Sequence, residues 1–452
     1  MEMKLEEKDA KDWKYKGEGA VNLVLSYIGS SPEFMGKVIR VQKVPRNESK
    51  NEVQGLFLSK HELTLWEDAG EFIRSPTKEI GEQLFVKCVM APLLGPEFVD
   101  PGTCVLVSRE FLESVERDVL SERPLWRVDA AKVNICADSV LLMSDHSVFP
   151  NSSTKGESCI SVEIKPKCGF LPSSTCIADK NAFKKNVSRF KMHQHLKHKD
   201  LKVSQLSEYE PLDLFSGSRE RIDKAIKALF STPQNNLRVF LDGALIYGEL
   251  GGGADGTNFS AESFEDHIRS FIRSESGSST TSFVNLVGQA IIKLGVLERL
   301  LEIQKLDKYD IEGTIHAYYD IVSEPCKLCG YTSGEKQTRK HSSLHSLPFD
   351  ESLKIVKDYL IAATAKDCSL MISFCPREEV DPDSPYKTVY LDATNQWFEC
   401  EACFIDLDLK PLKKMEFYYE LDQKIVNYYR QMVKPGLGVA NGGGIEGHET
   451  GY

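Results

Sequence analysis

The segment Cys159-Ile160-Ser161-Val162-Glu163-Ile164-Lys165-Pro166-Lys167 admits few structures. Side chains alternate faces along a strand, so Ile160, Val162 and Ile164 form an apolar face, while Ser161, Glu163, Lys165 and Lys167 share the opposite one. The apolar face needs a core. Pro166 lacks a ladder donor, so the strand ends there or lies at a sheet edge. A carboxylate flanked by two lysines on one face suits a phosphate-bearing ligand; the same pattern also fits a solvated face with a Glu–Lys pair. A second alternation, Phe404-Ile405-Asp406-Leu407-Asp408-Leu409-Lys410-Pro411, turns Ile405, Leu407 and Leu409 to a core and Asp406, Asp408 and Lys410 away from it. Two carboxylates on one strand face can hold Mg²⁺, because hard cations take oxygen ligands. Pro411 suits the first turn of a helix, along which Lys410, Lys414 and Tyr418 fall on one line.

Hydrophobic periodicity places strands over 13–28, broken by the turn Gly17-Glu18-Gly19, and over 36–44 and 139–143, with helices over 62–73 and 108–120. The remainder is more helical, over 181–199, 219–230, 264–273, 282–301, 310–322, 352–364 and 411–432, with strands over 159–165, 237–241, 370–374 and 396–409. A glycine-rich stretch over 248–258 reads as a surface loop and the tail from 435 as disordered. A chain of 452 residues organised this way fits an α+β protein with a smaller β-rich lobe, residues 1–150, and a larger helical lobe, residues 151–434.

With 56 basic against 67 acidic residues, net −11, the chain is a poor general binder of nucleic acid, and any polyanion site must concentrate its cations. The longest apolar stretch, 284–301, is interrupted by Lys293, Glu298 and Arg299, short of the ~20 apolar residues of a membrane helix. The charged first eleven residues lack a signal-peptide core, and twelve scattered cysteines suggest reduced thiols. The expectation is a soluble cytoplasmic or nuclear monomer.

One basic segment stands out: residues 181–200 carry Lys184, Lys185, Arg189, Lys191, Lys197 and Lys199 against Asp200 alone. On one continuous helix, Lys197 lies within roughly 40° of the Phe183/Val187/Phe190 stripe and points to the protein body, leaving Lys184 and Lys191 solvated. His193, His195 and His198 do not converge on one helical face and read as surface histidines. Pro325-Cys326-Lys327-Leu328-Cys329 is a C-x-x-C knuckle followed by His341 and His345 and preceded by His316. That spacing approaches a Cys₂His₂ zinc site, although residues 330–340 lack the apolar pattern of a finger helix. A second knuckle, Cys400 and Cys403, reads as strand cysteines.

The run Glu163-Ile164-Lys165-Pro166-Lys167-Cys168-Gly169-Phe170-Leu171-Pro172 resembles the signature of the inositol-pentakisphosphate 2-kinases, plant-type members most closely. The resemblance extends to Gly17-Glu18-Gly19, Arg123-Pro124-Leu125-Trp126-Arg127, Ser188-Arg189-Phe190-Lys191-Met192-His193, Pro233-Gln234-Asn235-Asn236, Ala365-Lys366-Asp367-Cys368-Ser369 and Phe404-Ile405-Asp406-Leu407, in order over most of the chain. It implies a two-lobed kinase-like fold and Mg-ATP-dependent phosphorylation of the axial 2-hydroxyl of inositol pentakisphosphate, giving the hexakisphosphate. Gly19, Ala20, Asn22, Arg40, Asp145, His146, Glu163, Arg238 and Asp406 are then nucleotide-site residues, Asp406 as the Mg²⁺ ligand. Asp367 orients the acceptor hydroxyl, with Lys165 near the transferred phosphoryl group. Arg127, Lys167, Lys197, Asn235, Lys410, Lys414 and Tyr418 bind the inositide, and His316, Cys326, Cys329 and His345 hold a structural zinc, leaving His341 spare. The family has basic residues just after the Arg40 strand, where this chain reads Val44-Pro45-Arg46, and often arginine where Lys414 stands; lysine keeps the charge and loses the bidentate fork.

Five phosphates carry on the order of 7–10 negative charges, which such a cluster of cations would meet. The absence of H-R-D and D-F-G triplets disfavours an ordinary protein kinase. The competing class is a zinc-stabilised protein that binds inositol phosphates or nucleic acid without catalysis; a kinase accepting several inositol phosphates is a third.

Overall fold

The computed structural model describes residues 3–46, 57–150, 157–248, 261–274, 279–329 and 342–433. The tail, most of the glycine-rich loop and His341 lie outside them. The described chain is mixed α/β, with two sheets. The first contains β1 (Lys4–Leu5), β2 (Trp13–Glu18), β3 (Asn22–Tyr27), β4 (Lys37–Pro45), β5 (Thr103–Val107), β6 (Ala131–Val133) and β7 (Ser139–Ser144), in the order β1-β5-β7-β4-β3-β2 with β6 paired to β4. The second contains β8 (Ile160–Ile164), β9 (Leu237–Leu241), β10 (Ala244–Gly248), β11 (Ser369–Arg377), β12 (Lys387–Leu391) and β13 (Gln396–Ile405), in the order β10-β9-β8-β11-β13-β12.

Period-2 alternation decides which side chains each sheet buries. In the first sheet, Leu23, Leu25, Ile39, Val41 and Val140 pack on Phe111, Leu112 and Val115 of the helix Arg109–Val119. Ser108 caps that helix, accepting from the Phe111 N–H at 3.1 Å. Val24, Val38, Arg40 and Met143 take the opposite face. In the second sheet, Ile160, Val162, Ile164, Leu237, Val239, Leu370 and Ile372 join the main core, built with helices that include Arg219–Ser231, Ser279–Leu294 and Phe349–Ala365. Leu58, Trp66, Phe72 and Phe85 belong to the same core, so a stretch of chain preceding β5 packs with the second sheet. β8 is central, paired antiparallel to β9 and β11, and stops before Pro166, as its missing donor requires.

Five expected elements differ. The helix over 282–301 is two helices, Ser279–Leu294 and Val296–Gln304, bent by 67° at Gly295, whose φ of +66° is the left-handed conformation that ends a helix. The expected helix over 181–199 is a 3₁₀ segment, Asp179–Lys185, followed by the helix Arg189–Lys199 with Ser188 as its N-cap. The strand expected to reach residue 409 ends at Ile405, because Asp406 adopts φ +60°. Helix over 62–73 and 264–273 is likewise shorter, at Lys60–Leu65 with a separate 3₁₀ turn Gly70–Arg74, and at Ala261–Ile268. No single described helix is long and apolar enough to cross a membrane.

The break before Ser188 reverses the expectation for Lys184. Its side chain is 4% exposed, and its ammonium donates to Asp310 at 2.6 Å, Asp422 at 2.8 Å and Glu312 at 3.1 Å. It joins the 3₁₀ segment to the helices Asp310–Val322 and Met415–Val433 and stands where those three carboxylates would otherwise repel. Removing one partner of a buried ion pair typically costs about 3–5 kcal/mol. Lys184→Met should lower the urea-unfolding free energy by about that amount, and a change below about 1 kcal/mol would show that the cluster relaxes without its cation.

Candidate functional site

The free faces of the two sheets look at each other across a cavity of about 430 Å³. Alternation supplies its walls: Val24, Val38 and Met143 from the first sheet, Phe240, Met371 and Ile405 from the second. Arg40, Glu163, Lys165, Arg238 and Asp406 also line it. Opposed apolar walls suit a planar heteroaromatic ring and the charged groups suit a polyphosphate with its cation.

Register places the charges. Glu163 on β8 lies directly opposite Arg238 on β9, and the pair closes at 2.9 Å. Ser369, the first residue of β11, donates to Glu163 at 2.8 Å. Lys165 follows the end of β8 and meets Asp406, just past the end of β13, at 2.9 Å. The left-handed turn at Asp406, tolerated by aspartate better than by most residues, sends Asp408 to Arg40 on β4 at 2.7 Å. One ion pair thus spans the two sheets. Burial opposes the charge on Asp406, but Lys165 and Arg40 outweigh it and hold the carboxyl well below its ordinary range. The oxygen donors Asp406 and Asp408, among cations that would face phosphates, are the donor set that a Mg²⁺–nucleotide needs.

Beside this cavity lies a second charged group. Asp367, at the end of the helix Phe349–Ala365, pairs with Lys410 at 2.7 Å and Lys167 at 3.4 Å. Partial desolvation opposes its charge, yet Lys167 and Lys410 bring it down to about 2. Lys197 feels this group too: burial, then the positive charges of Lys167 and Lys202, push it down to about 8. Lys197 therefore faces the body, although the continuous helix used to orient it does not exist. His193 is half-buried rather than fully solvated, and burial with the neighbouring Lys197 and Arg189 pushes it down to about 3.

The glycine turn is fastened from behind. The Gly19 N–H donates to the Asn22 carbonyl at 2.9 Å, and the Gly19 carbonyl accepts from Lys43 at 2.7 Å and Arg127 at 3.1 Å. Glu18 pairs with Lys43 and, at 3.0 Å, with Arg123. Gly19, Arg127, Asn235, Asp145 and His146 line the cavity; Ala20, exposed, and Asn22, buried, do not. Lys414 is exposed and, like Tyr418, does not line the cavity; Tyr418 is half-buried and within reach of the Asp367 charge. Arg46 is exposed and donates to the Val128 carbonyl at 2.7 Å.

Sequence reasoning missed Lys16. Its ammonium donates to Asp145 at 2.7 Å, to the Ser147 hydroxyl at 2.6 Å and to the Gly243 carbonyl at 3.3 Å, bridging β2 to segments far along the chain. No local pattern marks it. Trp126 was within reach of inspection: it lines the cavity with the Arg127 guanidinium 4.1 Å from its ring centroid.

Away from the cleft, His316, Cys326, Cys329 and His345 bring four ligand atoms within 4.8 Å of one another. His316 Nδ1 and His345 Nε2 are 3.2 Å apart, and sulfur–nitrogen separations are 3.3 Å for Cys326–His316 and for Cys329–His345 and 3.8 Å for Cys329–His316. A tetrahedral ion with ordinary Zn–N and Zn–S lengths separates such atoms by about 3.3–3.6 Å, so the set fits a four-coordinate metal with no open position. Asp320 accepts from His345 Nδ1 at 2.7 Å, orienting that ring. Cys400 and Cys403 lie on β13, apart from this group.

A model of the family described as inositol-pentakisphosphate 2-kinase matches residues 15–424. The chain is 55% identical over 442 residues to the inositol-pentakisphosphate 2-kinase of Arabidopsis thaliana, covering 96% of each. It is 51% identical over 431 residues to inositol-pentakisphosphate 2-kinase IPK1 of Oryza sativa subsp. indica, covering 95% of this chain and 96% of the relative. With the inositol-pentakisphosphate 2-kinase of Danio rerio the identity is 30% over 498 aligned positions, covering 94% of this chain and 95% of the relative.

Proposed function

The chain belongs to the inositol-pentakisphosphate 2-kinase family, and from that premise we propose that it transfers the terminal phosphoryl group of ATP to the axial 2-hydroxyl of inositol 1,3,4,5,6-pentakisphosphate, giving inositol hexakisphosphate. The observation that carries the reading is the adjacency of two differently equipped regions. An apolar-walled cavity ends among Arg40, Lys165 and Asp406, and beside it Asp367 sits between Lys167 and Lys410. The two facing sheets support a two-lobed kinase-like architecture, with residues 1–150 as nucleotide lobe and 151–434 as inositide lobe.

In this reading ATP lies between the sheets. Mg²⁺, held through Asp406, would neutralise charge on the phosphates. Arg40, Glu163 and Arg238 order the nucleotide end, Gly19, Asp145 and His146 border it, and the flanking Ala20 and Asn22 shape the turn. Lys165 stands at the junction and meets the phosphoryl group in transfer. Lys167, Lys197, Lys410, Arg127 and Asn235, with Lys414 and Tyr418 further out, receive the inositide phosphates. Asp367 accepts a hydrogen bond from the 2-hydroxyl. As the oxygen–phosphorus bond forms and the bond to the bridging oxygen of ADP breaks, the hydroxyl proton passes to Asp367. A carboxyl at about 2 is a weak base, so it orients the hydroxyl early and takes the proton late, once phosphate binding has drawn its lysine partners away. His316, Cys326, Cys329 and His345 hold a structural zinc that pins the segment after helix Asp310–Val322 to the turn carrying His345.

Four outcomes test this. Purified protein with Mg-ATP and the pentakisphosphate should yield a hexakisphosphate peak on anion-exchange chromatography. Asp367→Ala should lower turnover by at least about 10²-fold and still bind the inositide calorimetrically; no product from folded wild-type protein would favour a non-catalytic inositol-phosphate binder. The Lys197 ammonium is charged below about pH 8 and neutral above it, so the inositide KM should climb between pH 7 and 9 while the ATP KM stays level. Lys197→Ala should raise the inositide KM at pH 7 and remove the climb; a climb that persists belongs to another group. Elemental analysis should find about one zinc per chain, lost in Cys329→Ser together with several degrees of melting temperature, and metal-free protein with unchanged melting would refute the structural role.

A further inference from the structure

One buried side chain holds both the loop that carries Lys167 and the helix end that leads into Asp367. Gln304 is the last residue of the helix Val296–Gln304 and is 0% exposed. Its amide oxygen accepts from the Gly169 N–H at 2.8 Å. Its amide nitrogen donates to the Lys167 carbonyl at 2.8 Å and to the Ala365 carbonyl at 3.1 Å. The first two bonds grip the loop that carries Lys167; the third grips the end of the helix that leads into Asp367.

The surroundings show why such a grip is needed. Lys167 has φ +63°, a conformation a lysine backbone seldom adopts and keeps only when neighbours impose it. Gly169 is pressed so closely on the Phe215 ring that a methyl group in place of its hydrogen would lie 2.4 Å from it, which fixes the loop from the other side. Just beyond Gln304, Asp307 accepts from Lys366 at 2.6 Å, and the Lys366 ammonium sits 5.1 Å from the centroid of the Phe170 ring. The end of one helix therefore holds both segments by two independent sets of contacts. Tyr209 adds a tether to the loop alone, donating to the Pro166 carbonyl at 2.8 Å.

We propose that Gln304 is a positioning residue for the phosphoryl transfer, a single buried amide that sets the spacing of Lys167 from Asp367. The inference rests on the roles given to those two residues above. Asp367 acts chiefly in the transition state and Lys167 in holding the substrate, so displacing both changes kcat and KM together, while displacing the loop alone changes KM. Arg40, Glu163, Arg238 and Asp406 make no described bond to Gln304, so the nucleotide end is spared.

The test is steady-state kinetics on the full chain, with nucleotide affinity measured separately by a fluorescent ATP analogue. Gln304→Met, similar in shape and unable to make the bonds, should lower kcat at least tenfold and raise the inositide KM at least threefold, with analogue affinity within twofold of wild type. Tyr209→Phe should raise the inositide KM with kcat within twofold. If Gln304→Met loses its near-ultraviolet dichroism, Gln304→Glu replaces it: its buried carboxyl, protonated against two carbonyls, keeps the acceptor for Gly169 and one donor of the two, and should show a smaller loss of the same kind, still beyond twofold in kcat. Kinetics within twofold of wild type would overturn the inference, as would a parallel fall in nucleotide affinity, the mark of general loosening. An inactive wild type, or an active Asp367→Ala, would instead overturn the reading on which it rests.

Discussion

The cations in and beside the cleft that face a carboxylate do so at hydrogen-bonding distance, and this pairing lets them sit close together. Arg40 has Asp408, Arg238 has Glu163, Lys165 has Asp406, and Lys167 and Lys410 share Asp367. Cations crowded on two facing surfaces would push the sheets apart in the absence of a polyanion. With partners in place they stay close: Asp406 and Asp408 come from the turn after β13, Asp367 from the turn between the helix Phe349–Ala365 and β11, and Glu163 from β8 itself. These pairs are partly buried, so losing one partner outright would be costly, but a phosphate that takes a carboxylate's place supplies charge-assisted bonds in return. A chain with net charge −11 can thus gather these cations at one place with their charge balanced until a polyanion arrives.

How much of this was legible depended on how local the cause was. The two faces of β8 follow from a period of two, and from Pro166 at its end, and both are in the structure as read. The alternation through Leu409 misled, because a positive φ at Asp406 has no signature beyond the presence of an aspartate, and it is this turn that brings Asp408 to Arg40. The helix over 181–199 misled for a different reason. Apolar spacing continues through the segment and hides the stop at Ser188, an N-cap whose hydroxyl accepts from the Lys191 N–H at 3.3 Å. Gly295 was a similar stop signal inside an apolar run. The four metal-site residues were legible as a set only through the resemblance, since spacing alone left His341 and His316 as rivals.

The contacts that sequence could not offer are those joining distant segments. Lys16 reaches residues 145, 147 and 243, and Gln304 reaches 167, 169 and 365. Both are ordinary polar residues at unremarkable points in the chain, and each matters only because the fold brings three partners to it. The motif-bearing residues supply charge and chemistry; residues such as these supply the distances between them, which for phosphoryl transfer are as decisive as the groups themselves.

Lys184 leaves a buried cluster with more acids than bases. Its three carboxylates come from residues 310, 312 and 422, and a single ammonium balances only one of them. The excess negative charge is removed from water, and burial raises the Asp310 carboxyl above its ordinary range. The folded protein therefore holds a proton at this cluster at a pH where the unfolded chain releases it, so the joint between the 3₁₀ segment and the helix carrying Asp422 tightens as the medium becomes mildly acidic.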